Sequence, residues 1–191
     1  MRTRFTLKLI AAGACLTGAA GTFAQHSQPA GPYAGQQARA IKSLSSTQAA
    51  DLLAGKGMEL AKAAELNNYP GPLHVLELAA QLELSKGQKQ ASEMLMNRHK
   101  TEARDLGAQL VAAERALDQA FASRQIDAAR LAAHTEGIGR LQALLRKSHL
   151  ETHLQQTALL TPEQISRYAH LRGYSAAADA AAPLAPSAHR H

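Results

Sequence analysis

The chain has 191 residues, 46% of them apolar but only 4% aromatic and none Trp, and a formal net charge of +6. Ala and Leu supply most of the apolar content, which favours close-packed helices over a sheet. The charges are interleaved along the chain rather than gathered into a basic block, which argues against a nucleic-acid footprint and reads as a solvated surface.

At the amino terminus, Arg2, Arg4 and Lys8 precede or flank a short apolar run, Leu9 to Ala20, and no acidic residue appears before Asp51. Thr22-Phe23-Ala24 puts small residues at the positions a signal peptidase reads, so residues 1–24 are expected to be a signal peptide cleaved after Ala24. The run is too short to span a membrane, which takes roughly 20 apolar residues. Cys15 offers a competing reading as a lipidated cysteine, but Ala12 stands three positions earlier, where such signals usually carry a bulky aliphatic residue. Cleavage after Ala24 removes three positive charges and no negative one, takes the formal charge from +6 to +3, and leaves no cysteine. An exported chain without disulfides must be held together by helix packing.

Residues 25–42, with Gln, Ser, Pro and Gly and no periodicity, read as a flexible arm. Residues 175–191, rich in Ala and Pro and ending in His189 and His191, read as a disordered tail. Between them, residues 43–174 are expected to form one helical domain. Its first helix runs from about Ser46 to Leu66 and stops at the breaker cluster Asn67-Asn68-Tyr69-Pro70-Gly71-Pro72. Gly57 falls near the stripe of Leu53 and Leu60, where close helix approach is a reason for a glycine. A short helix follows from about Leu73 to Leu82, with Pro72 near its first turn.

A long helix then spans about Lys86 to Ala122, with Ala103, Leu106, Leu110, Ala113, Leu117 and Phe121 stepping by three and four along one face. After a short link, Asp127 is a good N-cap for a helix reaching about Ala158, with Leu131, His134, Ile138, Leu141 and Leu145 on one stripe. His134 reads as a packed, hydrogen-bonded residue of that stripe. Two long helices joined by a short link are antiparallel neighbours, and this hairpin is on the order of 50 Å long. A last helix, about Pro162 to Leu171, ends at Gly173, a suitable residue just past a helix end.

One pattern recurs at three of these starts: Leu44-Ser45-Ser46-Thr47-Gln48, Leu84-Ser85-Lys86-Gly87-Gln88 and Leu160-Thr161-Pro162-Glu163-Gln164. Each is a capping box, in which Ser45, Ser85 or Thr161 accepts the N–H at the third helical position. Gln48, Gln88 or Gln164 reaches back to the cap N–H, and the leucine lies where it can staple onto the first turn.

With the export signal, the cysteine-free chain and the hairpin between the second and third copies, the pattern resembles the periplasmic Spy/CpxP family. That family carries L-T-x-x-Q motifs and includes zinc-resistance-associated proteins and heavy-metal sensors. The resemblance covers about residues 44 to 174; the Thr161 copy matches fully, and the Ser85 copy has Ser for Thr. It implies an all-α, arched helical cradle, a homodimer, in the periplasm, which shields unfolded or stress-damaged proteins without ATP. No membrane span is expected after cleavage.

Three histidines are candidate ligands for zinc or copper. His149 and His153 share a helix face at i and i+4. With the hairpin tip near residues 124–125, partners across it sum to about 249, which places His99 level with both and Met96 opposite His153. Three imidazoles with a nearby thioether suit either metal. The spacing H-x-E-x-H is not that of zinc proteases, Glu151 points away, and Gly55-Lys56-Gly57 lacks the context of a phosphate loop. No serine, cysteine or paired-carboxylate arrangement reads as catalytic, so a non-enzyme is expected: a chaperone or envelope-stress protein, with a metal binder or sensor as the alternative.

Overall fold

A computed structural model describes residues 31–174. The expected signal peptide, Cys15, and the tail with His189 and His191 lie outside the described residues. The chain divides between Ala34 and Gly35 into two units, and every described helix belongs to the second. That unit is all-α: α1 (Ser46–Ala54), α2 (Lys62–Glu65), α3 (Pro72–Glu77), α4 (Lys86–Ala122), α5 (Ala128–Ala158) and α6 (Pro162–Leu171). No described helix is long and apolar enough to cross a membrane.

The expected capping boxes are formed at the starts of α1, α4 and α6, each with both of its hydrogen bonds. Asp127 caps α5 by accepting the Arg130 N–H at 2.8 Å. The motif leucines are tied into the cores. Leu44 packs on one apolar core, and Leu84 and Leu160 on another, so each anchors its helix start to the interior.

The first helix is shorter than its periodicity suggests. Gly55 takes a left-handed conformation (φ 66°), and the N–H groups of Gly55 and Lys56 close the helix onto the Leu52 and Asp51 carbonyls at 3.0 Å. Only glycine enters that region without steric cost, so the chain turns here rather than at Asn67. Gly57 lies in the following turn, and a Cβ there would meet nothing. The close approach is at Gly107, where a Cβ would stand 2.1 Å from the Leu52 carbonyl oxygen. This glycine is what lets α1 lie directly on α4. The second helix also ends early, at Glu77. Turns carry the chain through Glu83 (φ 52°) to the cap of α4.

Antiparallel α4 and α5 form the spine. Ile41, Leu52, Ala103, Leu110, Val111, Ile138 and Leu145 make one core, so the ordered domain begins before residue 43 and the arm ends in packed chain. Lys42 reinforces this with an ion pair to Asp118 at 3.0 Å. Val75, Leu82 and Tyr168 make a second core at the base of the hairpin. There the Glu65 carboxylate accepts from the hydroxyls of Tyr168 and Tyr174 and tethers α2 to the carboxyl-terminal segment.

Toward the hairpin tip the core gives out. No residue between Val111 and Ile138 is buried, and Phe121 and Leu131 are exposed although their periodicity places them on the packed face. His134 is only half-buried and has no hydrogen bond among the described residues.

Candidate functional site

Between the two cores, the α4–α5 interface turns polar: Ser92, His99, Ser148, His149, Thr152 and Gln156 are all buried. Gln156 donates to Ser92 Oγ at 3.0 Å, and His99 Nε2 lies 3.0 Å from His149 Nδ1. Both pairs sum to 248, one residue from the expected register. The two imidazoles meet edge to face, with centroids 4.4 Å apart. The outer nitrogen of His99, Nδ1, lies 3.3 Å from Ser148 Oγ. The outer nitrogen of His149, Nε2, is buried without a partner.

Burial holds the pair neutral. It lowers the pKa of His99, and it lowers that of His149 to about 4, helped by the neighbouring charges of His99 and His153. Each ring is then neutral at neutral pH with one N–H, and the 3.0 Å separation of His99 Nε2 and His149 Nδ1 is a hydrogen bond when one of these two nitrogens carries its ring's proton.

His153, the third expected ligand, is engaged elsewhere. Its Nδ1 lies 2.7 Å from the Tyr69 carbonyl oxygen and so must be the protonated nitrogen, donating. The same nitrogen is 3.7 Å from the Glu65 carboxylate, and Gly71 lies so close that a Cβ there would stand 2.8 Å from the ring. The structure thus brings His99 and His149 together and turns His153 away. Among the described residues, no group of three or more His, Cys, Asp or Glu side chains is placed to hold a metal ion. Glu151 pairs with Lys147 at 3.0 Å on the exposed side, as its spacing implies.

Beside the histidine pair is a cleft of about 560 Å³, bounded by the turn after α1, the start of α3 and the adjoining length of α4. Met96 lines it together with His99 and His149.

The motif glutamines have a role the sequence did not reveal. While each Oε1 accepts its own cap N–H at 3.0 Å, Gln88 Nε2 donates to Gln164 Oε1 at 2.8 Å and Gln164 Nε2 donates to Gln88 Oε1 at 3.2 Å. Gln88 also donates to the Leu159 carbonyl at 2.9 Å, and Gln164 to the Leu82 carbonyl at 3.1 Å. The two boxes form one near-symmetric knot that locks the starts of α4 and α6 together. Gln48, in contrast, only caps its own helix among the described residues.

Comparison with known protein families, with curated proteins and with solved structures finds no match for this chain.

Proposed function

We propose that the protein is an exported, ATP-independent chaperone or envelope-stress protein of the bacterial periplasm, which shields apolar segments of unfolded polypeptides. The observation that carries this reading is the bare end of the hairpin. Phe121, in the last turn of α4, is 53% exposed and Leu131, in the first turn of α5, is 39% exposed, with no buried residue in either helix nearby. Isolated exposed leucines are ordinary, but large apolar side chains gathered at one uncovered end mark an interaction surface.

Farther along α5, Leu144 and Leu154 add exposed apolar surface away from the core. The glutamine knot holds the opposite end of the hairpin fixed, which lets the tip stay uncovered without fraying the base. The likeness of the motif to the Spy/CpxP family and the signal-like amino terminus supply the periplasmic setting and the expectation of a homodimer. The test is light scattering from a chemically unfolded client diluted into buffer without ATP. The protein at a few-fold molar excess slows aggregation; no suppression by folded protein contradicts the reading.

A second reading, zinc or copper bound at His99 and His149, is favoured by the neutral pair and the unpartnered His149 Nε2. It requires His153 to leave the Tyr69 carbonyl if a third imidazole is to join. Binding to the folded state alone raises the thermal midpoint by mass action. A midpoint that ignores both metals after deletion of the His189/His191 tail rules this reading out.

A further inference from the structure

The cleft beside the histidine pair has a chemistry of its own. Its volume of about 560 Å³ lies within the few hundred to a thousand Å³ usual for small-molecule sites. Pro72, Leu73 and Met96 give it an apolar wall, and Leu73 is left 49% exposed. Lys56, Lys100 and Arg104 give it a basic one, and no Asp or Glu lines it.

These cations are not equally committed. Lys56 is held by Asp51 at 2.7 Å, and Arg104 Nε reaches the Ala54 carbonyl at 3.4 Å. Lys100 has no ion pair among the described residues. At one end, Gly55 closes the cleft by lying flat on α4: a Cβ there would stand 3.0 Å from Arg104 Cγ and 3.1 Å from the Arg104 nitrogen.

His149 also lines the cleft, and its Nε2 is a buried nitrogen with nothing to bond. Of the two directions in which the pair can relay hydrogen bonds, the one that leaves His149 Nε2 protonated suits a cleft lined by Lys56, Lys100 and Arg104. Ser148 Oγ–H donates to His99 Nδ1, His99 Nε2–H donates to His149 Nδ1, and His149 Nε2–H is left as a donor with no acceptor. An anionic oxygen completes the chain. A metal cation would instead need the lone pair at Nε2 and would sit among three positive side chains.

We infer that this cleft binds a small amphipathic anion. Its apolar chain or ring lies on Pro72, Leu73 and Met96, and its single anionic head is held by Lys100, Arg104 and His149 Nε2. The pairing of an apolar wall with convergent polar donors is the usual design of such sites, and a carboxylate and a phosphate head offer the same negative charge and acceptor oxygens. The inference is independent of client binding at the hairpin tip, some distance along α4 and α5.

The test is calorimetric titration in EDTA with decanoate, decyl phosphate, decanol and decyltrimethylammonium below their aggregation limits, with the histidine ring signals followed by NMR. Decanoate or decyl phosphate binds at one site per chain and moves the His99 and His149 ring signals; the tighter of the two identifies the head. Decanol and the cation bind at least tenfold more weakly. Lys100→Glu and Leu73→Glu, both at exposed positions, each weaken anion binding at least tenfold with an unchanged thermal midpoint. Equal binding of decanol and the anions, anion binding indifferent to Lys100→Glu, unmoved histidine signals at saturation, or no anion binding overturns the proposal.

Discussion

Replacing Gly107 by alanine sets two opposing effects against each other. Gly107 lies inside α4, where alanine is the better helix former by about 1 kcal/mol. Yet the added Cβ would stand 2.1 Å from the Leu52 carbonyl oxygen and 2.7 Å from its carbon. Both are backbone atoms of α1, so no side-chain rotation relieves the clash. The helix itself must retreat by about 1 Å before ordinary contact distances are restored. That movement loosens Leu52 from the core it shares with Ala103, Leu110 and Val111. Overpacking of this kind costs about 1–3 kcal/mol, and the partial loss of Leu52 burial adds to it.

After subtracting the helix-propensity gain, Gly107→Ala should destabilise the fold by roughly 2 kcal/mol. Urea unfolding followed by far-ultraviolet circular dichroism should show a lower midpoint at unchanged slope. Gly137→Ala and Gly139→Ala in α5 are the counterparts. A Cβ at either meets nothing within 4 Å, so each should stabilise by up to about 1 kcal/mol. A Gly107→Ala protein as stable as these two would refute the direct packing of α1 on α4.

The pH dependence of stability follows from the buried pair: folding lowers the pKa of His149 from 6.5 to about 4 and lowers that of His99 as well. The unfolded chain then binds the proton more readily, so stability is flat above about pH 6.5 and falls as pH drops toward 4. His149 alone contributes a slope approaching about 1.4 kcal/mol per pH unit and a total on the order of 3 kcal/mol, and His99 adds to it with the same sign. Urea midpoints between pH 7.5 and 4.5 measure it, and a His149→Gln protein with the same slope contradicts the assignment. The glutamine knot predicts unequal effects for equivalent-looking substitutions. Gln164→Ala strands the Leu82 carbonyl and one side of Gln88 and should cost about 2–3 kcal/mol, whereas Gln48→Ala loses only a cap interaction, about 1 kcal/mol or less. Equal losses in the unfolding midpoint would mean that the knot does not form.

Helix starts were legible because they are written locally. Ser85 with Gln88, and Thr161 with Gln164, satisfy their own cap groups within four residues. Lengths were less legible. The pattern after Ala54 stays helical in composition, and only the left-handed turn at Gly55 ends α1. The pairing of His99 with His149 could be read to within one residue, because a short link fixes the register of a hairpin.

The diversion of His153 could not be read, since its partner, the Tyr69 carbonyl, is backbone from a loop 84 residues away. The knot joins glutamines 76 residues apart and likewise depends on tertiary placement. Periodicity puts Phe121 and Leu131 in line with the packed stripes, but it carries no information on whether anything covers them, and both are exposed.

The bare hairpin tip is the claim on which the functional account depends, and the most direct measurement is aggregation suppression by a Phe121→Gln/Leu131→Gln double variant. Both positions are exposed, so the thermal midpoint and helicity should be preserved. At equal concentrations, the variant is expected to lose at least half of the suppression shown by the unaltered protein. Full suppression by a folded double variant would contradict the account, because clients would then be held somewhere other than the uncovered end of α4 and α5.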